Sequence, residues 1–135
     1  MIYLDSNVFI FAILNTGEIG NACRKLLTKI KKGLLQASTS ALTYDEVAWA
    51  VQRGAGFDSS ISAGEYFFQI NNLKILPVTR EAAFQAQKIR SEKKFDPRDA
   101  IHAAVCFTSG ISIIVSDDGI FDSLGFLKRK SVDSF

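Results

Sequence analysis

The sequence predicts an α/β fold in which a mostly parallel sheet of four or five strands is covered by helices on both faces. Three observations carry that expectation. Short apolar, β-prone runs alternate with longer amphipathic segments along the whole chain. Helix-start and helix-stop residues punctuate the junctions, above all Asp96-Pro97 and Gly33. There is no internal repeat, low-complexity tract or linker, so the 135 residues are expected to form one domain, 1–135.

The elements follow in order. Ile2 to Leu4 is short and apolar, and runs into Asp5-Ser6-Asn7: a buried strand, then a helix start. Val8 to Leu14 continues apolar as the first helix. Residues 19 to 32 place Ile19, Cys23, Leu26, Leu27 and Ile30 on one helical stripe, with Gly33 as the stop. Leu34 to Ser38 reads as the second strand, and Thr43 to Gln52 as a helix closed near Gly54 and Gly56. Residues 59 to 70 form a further helix, Leu73 to Leu76 a strand stopped by Pro77, and 80 to 92 another helix. Asp96 caps a helix with Pro97 at its first position, and Gly110 ends it. Ile111 to Val115 is the most strand-like run; a short helix and a last strand near Leu127 to Val132 complete the set.

Composition narrows the function classes. The chain is 47% hydrophobic and 22% charged, with net charge +2 and 11 Phe residues. These are values for a globular protein with a substantial core. No apolar run is long enough to span a bilayer, and Met-Ile-Tyr-Leu-Asp5 lacks the basic start of a signal peptide, so a cytoplasmic protein is expected. Cys23 and Cys106 match neither a zinc site nor a redox pair and read as reduced core residues. Basic residues cluster at 25–32, 88–94 and 128–130, where a solvated helix face explains them at least as well as an RNA track.

Four acids stand where this architecture brings side chains together. In an open α/β sheet, ligands gather at the edge where strands end and the next helices begin. Asp5 follows the first strand, and Asp118 follows the Ile111–Val115 strand. Glu46 lies in the first turn of the helix after the second strand. Asp99 opens a helix that leads directly into the Ile111–Val115 strand, so its N-terminus lies at the same edge. Clustered carboxylates repel and are stable in their charged form only beside a cation. All-oxygen ligands favour Mg²⁺ or Mn²⁺ over Zn²⁺. Such an ion can activate water and hold a phosphate oxygen.

Each acid also has a purely structural reading. Thr43-Tyr44-Asp45-Glu46 fits a capping box, Asp96 and Asp99 fit a cap, and Asp117 or Asp118 can cap a short helix or form a turn with Gly119. His102, one turn after Asp99, reads as a packed histidine with a satisfied polar edge before it reads as catalytic. Trp49 reads as a core or partner-facing aromatic. Asn7 and Ser116 flank the acids and suit orienting a carboxylate or capping a helix. No strongly basic residue is placed among the acids by this reading.

Four segments together resemble the PIN domain family: Ile2-Tyr3-Leu4-Asp5-Ser6-Asn7-Val8, Leu42 to Val47, Asp99 to Ala104, and Ile114 to Asp122. Each is short; their order and spacing across the chain make the set specific. Residues 54 to 72 match no motif. The resemblance implies a three-layer α/β/α Rossmann-like fold and a Mg²⁺- or Mn²⁺-dependent endoribonuclease leaving 5′-phosphates. It places Asp5, Glu46, Asp99 and Asp118 at the acidic positions as catalytic residues and metal ligands. Asn7 and Ser116 then support them, and Asp117 is an adjacent extra charge that competes with Asp118. It further implies the toxin of a VapBC-type toxin–antitoxin pair, with an RNA substrate, an antitoxin partner and a homodimer. The alternative is a PIN module that processes RNA or, without cutting, binds RNA or protein. A signalling receiver is disfavoured because Asp5 has no acidic neighbour, and a haloacid-type phosphatase because Asn7 stands where a second Asp is needed.

Overall fold

In the computed structural model, which describes residues 1–135, five parallel strands form one sheet in the order β3-β2-β1-β4-β5. They are β1 (Ile2–Leu4), β2 (Ala37–Ser40), β3 (Leu73–Leu76), β4 (Ile113–Val115) and β5 (Lys128–Lys130). Six helices connect them: α1 (Ser6–Leu14), α2 (Glu18–Lys31), α3 (Ala41–Ala55), α4 (Phe57–Phe68), α5 (Arg80–Glu92) and α6 (Pro97–Thr108). Short 3₁₀ turns cover Gly119–Ser123 and Val132–Ser134.

Strand alternation produces the three layers. Ile2 and Leu4 of β1 and Val115 of β4 point to one face, where they meet residues of α1, α2, α3 and α4. Tyr3 and Ile114 point to the other face, against α5, α6 and Phe121. Each face buries its own apolar cluster, and both cysteines lie within these cores as free thiols. No helix is long and apolar enough to cross a membrane.

Local chemistry sets the boundaries that matter for the site. Gly33 takes φ +74°, its N–H reaches the Ile30 carbonyl, and the Leu34 N–H reaches that of Lys29; a Cβ would strain this helix stop. Leu34 to Gln36 consequently form the exit from α2, and β2 begins only at Ala37. The Ile111–Val115 run starts as a strand at Ile113, because Gly110 (φ +69°) and the two residues after it make the turn out of α6.

Helix α3 begins at Ala41, two residues before the expected start, so Glu46 lies in its second turn. The expected capping box is therefore absent. Thr43 is buried and its Oγ1 pairs with Thr39 Oγ1 at 2.7 Å, while Glu46 is turned elsewhere. Asp96 and Pro97 occupy the expected cap and first position of α6, although the Asp96 side chain makes no capping hydrogen bond. Trp49 is exposed rather than in the core, with the Arg53 guanidinium 6.0 Å from its ring.

Candidate active site

The acids converge at the carboxyl edge of the sheet, and β1 and β4 anchor the arrangement. The Asp5 N–H donates to the Val115 carbonyl at 3.1 Å, which continues the β1–β4 ladder into the first residue of the site. Asp5 is buried, and its carboxylate is fully engaged. Oδ1 accepts from the Ser6 N–H at 2.8 Å; Oδ2 accepts from Ser116 Oγ at 2.6 Å and from Asn7 Nδ2 at 3.3 Å. Asn7 Nδ2 also lies 3.2 Å from Ser116 Oγ, which in turn accepts the Asp118 N–H at 3.0 Å. Asn7 and Ser116 therefore orient Asp5 and fasten the 116–118 loop to it.

The other carboxylates come from three directions. Asp99 enters from the first turn of α6, Glu46 from α3 on the opposite face of the sheet, and Asp118 from the loop after β4. Asp99 and Glu46, with Asp96, Pro97 and Arg98, line an open cavity of about 530 Å³. Arg98 lines the same cavity, and no ion pair joins it to the acids.

Electrostatics report the convergence. The Asp99 carboxyl is pushed up to about 6 by burial and then by the charges of Asp5, Asp118 and Glu46, with His102 opposing. Burial raises Asp5 as well, against His102 and the Ser116 and Ser6 hydrogen bonds. The field of Asp118 acts on Asp99, whereas Asp117 acts on the Cys23 thiol and lines a small cavity with Asn7, Cys23 and Asp133. Both are exposed, and Asp118 Oδ1 also caps the following turn through the Ile120 N–H at 3.0 Å.

Three features of the site escaped the sequence reading. His102 is fully buried with its polar edge satisfied, as expected of a packed histidine, but one partner is Glu46 itself. Burial pulls its pKa down; the Glu46 hydrogen bond and the charges of Asp5, Glu46 and Asp99 outweigh that and raise it. Tyr3 and Ser40 stand behind His102, and the signal for them was a polar run, Ser38-Thr39-Ser40, in a fully buried strand. Arg129, one of the basic cluster at 128–130, grips Asp122 through two hydrogen bonds of 3.0 and 2.9 Å and donates to the Ser116 carbonyl at 3.2 Å. It braces the loop that carries Asp118.

No group of three or more His, Cys, Asp or Glu side chains is arranged to hold a metal ion directly. The donor set is nevertheless all oxygen and its charges are mutually repelling. That chemistry fits a hydrated hard cation, which takes one or two carboxylates directly and reaches the rest through water.

Residues 2–127 match the family model of the PIN domain, and the chain belongs to that family. No curated protein matches the chain significantly. Among solved structures the fold is similar to VapC20 of Mycobacterium tuberculosis, a sarcin–ricin loop-cleaving toxin, at 18% identity over 94% of this chain and 97% of that one, with a TM-score of 0.77. It is similar to VapBC2 of Rickettsia felis bound to a promoter DNA fragment, at 18% identity, 97% and 98% coverage and a TM-score of 0.76. VapBC of Salmonella typhimurium bound to DNA gives 20% identity, 97% coverage of each chain and a TM-score of 0.75. The chain thus has the PIN fold seen in these VapBC toxin–antitoxin systems.

Proposed function

We propose that this chain is a Mg²⁺- or Mn²⁺-dependent endoribonuclease whose active site is the Asp5, Glu46, Asp99 and Asp118 carboxylates. The observation that carries the proposal is their gathering at one sheet edge, with the Asp99 carboxyl pushed up to about 6 by burial and then by its acidic neighbours. A divalent cation, when bound, would supply a Lewis acid that activates water and neutralises charge on a phosphodiester. Asp5, Asp99 and Asp118 would hold it, directly or through water, and Asn7 and Ser116 keep Asp5 oriented. Glu46 would take the proton of the attacking water or help to hold the cation. Arg98 lines the open cavity and pairs with a substrate phosphate. The P–O3′ bond breaks, leaving 5′-phosphate and 3′-hydroxyl ends.

The likeness to VapC20 and the VapBC structures over nearly the whole chain supports a toxin role with an antitoxin partner; a homodimeric state and cytoplasmic RNA as the target complete the proposal. Purified wild type should cleave RNA in Mg²⁺ or Mn²⁺ and fall silent in EDTA. Asp5→Asn and Asp99→Asn should each lose at least ~100-fold in kcat with unchanged circular dichroism. Full activity of the Asp5→Asn, Asp99→Asn double variant would sink the mechanism.

One observation favours a second reading, a PIN module that binds RNA or protein without cutting: no closed ligand shell is formed by the side chains. Calorimetric titration with Mn²⁺ separates the two, since a non-cutting module is expected to bind Mn²⁺ poorly.

A further inference from the structure

Glu46 differs from the other three acids in how it is held. It sits on the second turn of α3, partly open to solvent, and the imidazole of His102 is the hydrogen-bond partner of its carboxylate. Helices α3 and α6 pack on opposite faces of the sheet, so this contact reaches across the edge of the sheet. His102 is itself fixed from behind. Its Nδ1 lies 2.6 Å from Tyr3 Oη, and Tyr3 Oη lies 2.9 Å from Ser40 Oγ. Tyr3, Ser40 and His102 are all completely buried, and no buried side-chain polar atom lacks a partner. His102 Nε2 is also only 3.6 Å from Asp5 Oδ1, so the imidazole edge spans two of the four acids.

We infer that His102 is a positioning residue, which Tyr3 and Ser40 lock in place so that Nε2–H holds the Glu46 carboxylate inside the acidic cluster. The inference rests on the cation-dependent reading of that cluster. Donor logic supports it. A carboxylate only accepts, so Nε2 must carry the proton. Nε2–H donates to Glu46 in either arrangement behind it: the ring is neutral where Tyr3 Oη donates to Nδ1, and positively charged where Nδ1 donates to Tyr3 Oη and Tyr3 Oη donates to Ser40 Oγ. Without the imidazole, Glu46 would be a long side chain on a helix facing three like charges, free to swing toward water. Partners that orient the ligands of a metal site commonly alter metal affinity by ~10- to 100-fold when removed.

The experiment compares His102→Gln, His102→Asn and His102→Leu in the full chain. A Gln amide reaches about as far as Nε2 and keeps a donor to Glu46; an Asn amide reaches only as far as Nδ1, and Leu donates nothing. Mn²⁺ affinity by calorimetry should fall about 10-fold for His102→Asn and His102→Leu and stay within about 3-fold for His102→Gln. In RNA cleavage, kcat should drop for Asn and Leu with KM unchanged. In metal-free wild type, a slowly exchanging downfield imidazole proton should be visible by NMR; it should vanish in Glu46→Ala and persist in Asp99→Ala. The Gln and Asn variants keep a polar group in the pocket, so they decide the matter even where Leu does not fold. Equal Mn²⁺ affinity and kcat for Asn and Gln would overturn the inference, as would a downfield proton indifferent to Glu46→Ala. Wild type that binds no Mn²⁺ overturns the cation reading itself; wild type that binds it no better than His102→Asn overturns only the role of the imidazole.

Discussion

Replacing Asp99 by Asn removes a carboxylate whose ionised form is disfavoured first by burial and then by the charges of Asp5, Asp118 and Glu46. In the folded chain the Asp99 carboxyl rises from its ordinary 3.8 to about 6. A shift of that size corresponds to ~3 kcal/mol of unfavourable interaction for the ionised form. Asp99 is partly open to water, and screening brings the expected figure to ~1–2 kcal/mol. The sign follows from linkage. The folded pKa lies above the unfolded one, so the native state binds the extra proton between about pH 4 and 6. Wild-type stability from this group is complete below pH 4 and is lost as pH rises through 6. Asp99→Asn, which cannot ionise, should therefore be more stable than wild type by ~1–2 kcal/mol at pH 7.5 in EDTA. The gain should shrink toward zero at pH 4. Urea denaturation followed by circular dichroism across pH 4–8 measures it; the single Trp is exposed, which makes its fluorescence a weaker probe. Saturating Mg²⁺ should raise the wild-type midpoint and leave the variant's nearly unchanged. A variant no more stable than wild type at pH 7.5, or equally favoured at both pH values, would refute the claim that burial and the neighbouring acids hold the Asp99 carboxyl up.

Further outcomes are expected of single changes. Asp118→Asn should reduce RNA cleavage at least ~10-fold and Asp117→Asn less than ~3-fold, because Asp118 is among the charges that raise Asp99 while Asp117 acts on the Cys23 thiol; single-turnover assays with the two variants side by side check this. Arg98→Ala should raise KM for RNA and flatten its salt dependence with little change in kcat, measured by cleavage at several ionic strengths. Gly20→Ala should destabilise the fold by ~2–3 kcal/mol in thermal or urea melts, since a Cβ there would lie 1.9 Å from the Asn15 carbonyl oxygen. Cys23 and Cys106 should resist thiol reagents until the protein unfolds, both being buried and the Cys23 thiol pushed up to about 11 by burial.

Much of the site's outline was legible because chain order and fold class together fix which residues end strands and open helices. Asp5 and Asp118 follow β1 and β4, and Asp99 opens the helix that feeds β4, so their common edge needed no coordinates. The extent of α3 was less legible. Ala41 and Leu42 carry no start signal, and Thr43 imitates a cap while its hydroxyl is committed to Thr39 inside the core. His102 shows the same limit. Its burial is read from an apolar helix, but its partner Glu46 is 56 residues away on the other face of the sheet.

The sequence by itself determined the parallel α/β architecture, the strand-edge positions of the acids and the PIN family pattern, because these depend on periodicity, caps and local order. Only the tertiary structure brings the charge of Asp118 to bear on Asp99 and that of Asp117 on the Cys23 thiol, because the path of the loop after β4 is not encoded in spacing. It alone decided that Arg129 is a strut and not a free cation, and that Gly20 is required by a carbonyl five residues away. Helix propensity alone would favour Ala there by ~1 kcal/mol. Packing contacts and fields depend on distance through space, and the fold sets that distance.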